Sequence, residues 1–145
     1  MKSNIIPYFQ TMFDYAYKYT PQTTYQHSLR VMHYVMRNTS IPERIHDECI
    51  VVAIAHDLLE DGKITVFDLP DLPENVWRAL ELITHNKNQS YVDYVKDIVD
   101  AKNQDYGLIA YWVKMADMKD HLAQKDTLTD KLKTKYLEAL PYLLP

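Results

Sequence analysis

The chain has 145 residues, 47% of them hydrophobic, a formal net charge of -4, one cysteine and two glycines. This is chain enough for one domain with a real core, and no run approaches the ~18 consecutive apolar residues that a membrane span needs. The acidic balance gives no general attraction to a nucleic-acid polymer, the lone Cys49 rules out an intrachain disulfide, and two glycines leave no G-x-G-x-x-G or Walker loop, so any phosphate handling would have to use side chains or a metal.

The opening residues, Met1 to Pro7, lack the apolar run and small-residue cleavage site of a signal peptide, which makes the cytoplasm the expected compartment. Apolar residues then recur at helical spacing and predict an all-α bundle of about seven helices in a single domain. The spacing places the helices at roughly 4–19, 22–38, 42–60, 74–85, 90–101, 105–123 and 129–143. In the first of them, "DYAYKY" groups Tyr15, Tyr17 and Tyr19, read as the packing face of an amphipathic helix rather than an aromatic surface for bases or a partner.

Pro21 opens the second helix, and His27 lies in its middle near Tyr25, Leu29 and Val31. Pro42 opens the third. Its first turns carry His46 and Asp47 among Glu43, Arg44 and Glu48, and this pair is expected at the surface, because the helix dipole already accounts for an aspartate near an N-terminus. Ile50 to Ala55 are apolar on all sides, so the helix should run through the centre of the bundle.

His56 follows on the stripe of Ile45, Cys49 and Val52. For a histidine alone, a core side chain satisfied by a carbonyl is the simpler reading. Asp57 changes the balance, since an ionised carboxylate beside a buried surface is tolerated only when paired or bound to metal. Glu60 and Asp61 follow at i+4 from His56 and Asp57, and all four are expected to crowd the last turn of the helix. There the carboxylates repel one another and the negative end of the dipole, and a cation would offset both effects. Gly62 suits the left-handed residue that ends the helix.

Pro70 and Pro73 bracket the one irregular connection. His85, Asn86, Lys87 and Tyr91 follow a helix end, either as solvated loop residues or as the lining of a pocket. Ser90 and Thr129 are placed to cap the fifth and last helices. Within "YWVKMADMKDHL", Asp117 lies on an inward stripe with Val113 and Ala116, as a metal ligand or as the partner of Lys114 or His121 at i-3 and i+4. Lys131, Lys133 and Lys135 read as a solvated helix face.

The order His27, His56-Asp57, Asp117 resembles the H…HD…D signature of the HD superfamily of metal-dependent phosphohydrolases. "HDLLEDGKITVFDL" is similar to the H-D-x-x-E-D-x-x-x-T stretch of its alarmone hydrolase branch, the RelA/SpoT type and its small stand-alone relatives. "LITHNKNQSYVDYVKDI" and "VKMADMKDHL" are similar to segments of small bacterial HD proteins. The likeness covers roughly residues 12–125 and is most specific at 56–67. It implies an all-helical HD fold with one divalent ion, often manganese, bound by His27, His56, Asp57 and Asp117, and it assigns Glu60 and Asp61 to the attacking water.

The expected reaction is hydrolysis of a phosphate or pyrophosphate ester of a nucleotide, foremost the 3′-pyrophosphate of (p)ppGpp. Lys114 and Arg30, one turn from Asp117 and His27, are candidates to face phosphate, with His85, Lys87 and Tyr91 as further lining. The stretch before His27, "YTPQTTYQH", has no Arg, Lys or Gly where alarmone hydrolases have a basic one, and His121 stands where the family commonly has Asn. A nucleotidase or nucleoside triphosphate hydrolase is therefore one alternative. A non-catalytic nucleotide-binding module is another, although binding alone would not need a second carboxylate pair beside the metal.

Overall fold

The computed structural model describes residues 5–60 and 64–144. The expected roles of Asp61 and Gly62 lie outside the described residues. Among those, the chain forms seven α-helices and no strand: α1 (Ile6–Tyr19), α2 (Gln22–Arg37), α3 (Glu43–Ala55), α4 (Glu74–Ile83), α5 (Tyr91–Asp100), α6 (Asp105–Ala123) and α7 (Asp130–Leu143), with a short 3-10 turn at Val66–Asp68. No described helix is long and apolar enough to cross a membrane.

The helix starts follow local chemistry. Ser90 Oγ accepts from the Asp93 N–H at 3.1 Å, and Thr129 Oγ1 from the Leu132 N–H at 3.2 Å, each satisfying an otherwise orphaned amide. Pro21, Pro42 and Pro73 each stand just before a first turn, where a missing N–H costs nothing.

Helix α6 is the spine of the bundle, packed against α2, α3, α4, α5 and α7, while α3 lies between α1, α2, α4 and α6. The all-apolar run of α3 is buried as its composition demands: every residue from Cys49 to Ala55 is in the core. At the start of α6, a Cβ on Gly107 would sit 1.9 Å from the Ala101 carbonyl oxygen. Glycine is thus what lets α6 begin in backbone contact with the end of α5. In α1, Tyr15 meets Tyr19 edge-on, whereas Tyr17 is 73% exposed and touches the rim of Tyr25.

Two expectations are corrected. The third helix ends at Ala55, five residues short of 60, and residues 56–60 continue as tight turns with Leu58 N–H on the Ala55 carbonyl at 3.0 Å and Glu60 N–H on the Asp57 carbonyl at 3.4 Å. The His56 ring takes the Ala53 carbonyl at 2.7 Å, the group that the amide of residue 57 would need if the helix continued. His46 is not a surface residue but half-buried, its Nε2–H donating to the Val35 carbonyl at 2.8 Å and so tying α3 to α2.

Candidate metal centre

The spacing of Lys114, Asp117, Asp120 and His121 by three and four residues puts all four on one face of α6. Lys114, Asp117 and Asp120 are buried there, as are His27 from the middle of α2 and His56 at the end of α3. So many polar groups in a core are tolerated only if each finds a partner.

The partners converge on Asp117. Its Oδ1 lies 2.8 Å from His27 Nε2, 3.0 Å from His56 Nε2 and 3.2 Å from His121 Nε2, and its Oδ2 accepts from Lys114 Nζ at 2.8 Å. Asp57, delivered by the turn after α3, brings Oδ2 to 3.3 Å from His56 Nε2 and 3.7 Å from His27 Nε2. The donor atoms of His27, His56 and Asp57 lie within 4.8 Å of one another, and so do those of His27, Asp117 and His121. The structure therefore brings together the four residues His27, His56, Asp57 and Asp117, drawn from three separate segments.

The far side of each ring fixes which nitrogen carries the proton. His27 Nδ1–H donates to Asp120 Oδ2 at 2.6 Å, and His56 Nδ1–H to the Ala53 carbonyl at 2.7 Å, since a carboxylate and a carbonyl can only accept. In the neutral imidazoles the Nε2 lone pairs then both point at carboxylate oxygen. Lone pairs facing oxygen at this distance repel unless a proton or a metal ion stands between them. A carboxylate oxygen has two lone pairs for three converging ring nitrogens, whereas one cation in their midst serves all of them. Two imidazole nitrogens and two carboxylates, with the opposite nitrogens anchored, is a donor set that suits a first-row divalent ion.

Without such an ion, protons carry the load. Burial pushes the His56 pKa down, but Asp57, Asp117 and the Ala53 carbonyl outweigh it and raise the value to about 9. Burial likewise opposes protonation of His27, and the Asp117 carboxylate overcomes it, so this pKa is also raised. Asp117 itself is held well below the usual carboxylate range: burial would raise it, and the Lys114 ammonium with His121, His27 and His56 prevails. Lys114 is pushed well above its ordinary value by Asp117 despite its burial.

Two cavities flank the cluster. The smaller, about 220 Å³, is bounded by His56, Asp57, Glu60, Lys114, Asp117 and Tyr91 together with Lys135 and Tyr136 of α7. The larger, about 370 Å³, lies on the other side of His27 and is lined by Thr23, Gln26, Arg30, Gln124, Leu128 and Leu132 among others. Asp57, His121 and Tyr136 border both, and His121 is stacked between His27 at 4.3 Å and Tyr136 at 4.8 Å.

The remaining sequence candidates divide. Glu60 is exposed at the rim of the smaller cavity, its Oε1 accepting the His85 N–H at 3.1 Å. His85 lines the same cavity with its Nε2–H on the Gln89 carbonyl at 2.7 Å. Lys114 is buried and paired with Asp117, as the i-3 spacing allowed. Arg30 borders the larger cavity, but its Nε–H is given to Asp120 Oδ1 at 2.8 Å. Lys87 is exposed in a turn closed by the Gln89 N–H on the Asn86 carbonyl at 3.0 Å and is not among the residues that line either cavity.

Asp120 belongs to the cluster although no motif of the sequence singles it out, and Lys135 departs from the solvated face expected of it. Asp120 was findable, since it stands three residues from Asp117 on the same face of α6. Lys131 and Lys133 are exposed as expected, while Lys135 turns in toward Tyr91 and Tyr136 at 4.6 and 5.6 Å from their ring centroids. Comparison of the chain with protein-family models, curated proteins and solved structures returns no match.

Proposed function

We propose that the chain is a metal-dependent phosphohydrolase of the HD type, acting on a phosphate or pyrophosphate ester of a nucleotide. The observation that carries this reading is the pair of Nε2 atoms of His27 and His56, each freed by an anchored Nδ1–H, aimed at Asp117 beside Asp57. His27, His56, Asp57 and Asp117 would hold the ion, with manganese favoured by the resemblance of the motif. When bound, a divalent ion supplies Lewis acidity to a phosphoryl oxygen and to the attacking water.

The chain's own groups do the rest. Asp120 keeps the His27 proton on Nδ1, and the Ala53 carbonyl does the same for His56. Lys114 neutralises Asp117 Oδ2 and leaves Oδ1 directed at the histidines. Glu60 has its Oε1 occupied by the His85 amide, so its Oε2 is the atom available to take a proton from water at the cavity rim.

Guanosine tetraphosphate remains a candidate substrate on the motif. A nucleotidase or nucleoside triphosphate hydrolase, the second reading, draws support from the larger cavity. Among its described lining residues Arg30 is the one Lys or Arg, and it is already bonded to Asp120, which suits a nucleotide charged at one end only. The test is incubation of manganese-loaded protein with a nucleotide panel that includes guanosine tetraphosphate and nucleoside mono- and triphosphates, with products resolved by chromatography and His56→Ala as control. Equal product from wild type and variant would sink the proposal.

A further inference from the structure

The smaller cavity has an unbalanced wall. Lys114 Nζ lies 5.0 Å from the ring centroid of Tyr91 and 4.9 Å from that of Tyr94, and Lys135 Nζ approaches Tyr91 at 4.6 Å, so two ammonium groups gather about one phenol ring. Lys114 is matched by Asp117, but Lys135 meets no carboxylate oxygen within ion-pair distance among the described residues. The Tyr91 hydroxyl is buried and finds no acceptor for its proton among them, since the neighbouring Lys114 ammonium can only donate to it. The Tyr94 hydroxyl, by contrast, is satisfied by the Ile83 carbonyl. An unmatched ammonium, an unmatched phenol O–H and the spare N–H groups of Lys114 thus face one space, and all of them are donors.

We propose that this space is the seat of a phosphoryl group, held by Lys135, Lys114 and the Tyr91 hydroxyl across from Asp57 and Asp117. This rests on the phosphohydrolase reading and assigns the orientation of the substrate within it. A cavity of about 220 Å³ is below the ~300 Å³ at which whole small-molecule sites begin, so it takes the charged end of a ligand and not the whole. The rest extends past Asp57 into the larger cavity, where Thr23, Gln26 and Gln124 offer neutral hydrogen bonds and Leu128 and Leu132 offer apolar contact, as an uncharged nucleoside requires. Burial and the neighbouring Lys114 charge hold the Lys135 pKa below its ordinary value, the expected state of a cation lacking its anion.

The experiment is calorimetric titration of the manganese-loaded protein with inorganic phosphate. Lys135→Gln should weaken phosphate binding about tenfold, Lys135→Arg should keep most of it, and Lys131→Gln, on the exposed face of α7, should leave it unchanged. Wild-type protein that binds no phosphate, a Lys135→Gln variant that binds it undiminished, or a Lys131→Gln variant that loses as much would each overturn the assignment. Metal content measured on the same samples reports separately on the cluster: protein that binds phosphate through Lys135 yet takes up no metal would keep this inference and lose the phosphohydrolase reading.

Discussion

Replacing Asp120 by asparagine tests how the cluster is organised without touching any of the four residues proposed to hold the ion. The carboxylate presents Oδ2 to His27 Nδ1–H at 2.6 Å and Oδ1 to Arg30 Nε–H at 2.8 Å, and it is completely buried. Asparagine has the same size but a single oxygen, so one of the two donors must face an NH2 group. If that donor is His27, the imidazole shifts its proton to Nε2, the atom the metal needs. Groups that anchor the far nitrogen of a metal-binding histidine are typically worth 10–100-fold in affinity, or about 1.4–2.7 kcal/mol. An ion that binds only the folded state adds its binding free energy to stability, so the same amount disappears from the stabilisation by a fixed, near-saturating concentration of Mn2+. At roughly 3 °C per kcal/mol for a domain of this size, the gap between melting temperatures with and without Mn2+ should narrow by about 4–8 °C. Differential scanning fluorimetry with and without the ion, joined to metal content after dialysis, measures it. An Asp120→Asn protein that melts lower by the same amount in both conditions and keeps wild-type metal affinity would refute the argument, because Asp120 would then be only a structural partner of Arg30.

Other consequences follow from the same geometry. His56→Ala removes one nitrogen from the cluster and should abolish both metal retention and turnover, with a loss of about 2–3 kcal/mol in the metal-free protein from the vacated core space and the Ala53 hydrogen bond, read by denaturant unfolding. In the metal-free protein the His56 pKa is raised from 6.5 to about 9, so its stabilising effect is complete below pH 6.5 and is lost as pH climbs through about 9, a fall of up to about 3 kcal/mol that pH-dependent melting should reveal. Because that proton must leave when a metal enters, binding at pH 7 should release it, seen as a calorimetric enthalpy that varies with the ionisation heat of the buffer. Gly107→Ala forces a methyl group onto the Ala101 carbonyl and should cost more than about 2 kcal/mol by urea unfolding, while an unchanged midpoint would show that α5 and α6 do not need this close approach.

How much of this was legible in the chain depends on the range of the interaction. Helical spacing, caps such as Ser90 and Thr129, and the all-apolar run before His56 are local signals, and they placed seven helices and the central position of α3. A carboxylate next to buried surface was equally readable at Asp57. The end of α3 was misjudged because periodicity persists to Leu59 while the chain has already turned at His56, where a side-chain bond takes the Ala53 carbonyl that one more turn of helix would need. His46 was expected at the surface, but its burial against α2 depends on a partner eleven residues away and on another helix.

By itself, then, the order of residues determined the class of the fold and the side chains able to bind a cation, because both depend on chemistry within a few positions of chain. Which way those side chains turn was decided by the packing of α2, α3 and α7 around α6. It set His27 and His56 nose to nose across Asp117, gave Asp120 the task of holding the His27 proton, and swung Lys135 inward while its neighbours Lys131 and Lys133 stayed in water. The physical reason is that a proton's position and a cation's partner depend on distances of about 3 Å between segments ninety residues apart in the chain, which no local pattern encodes.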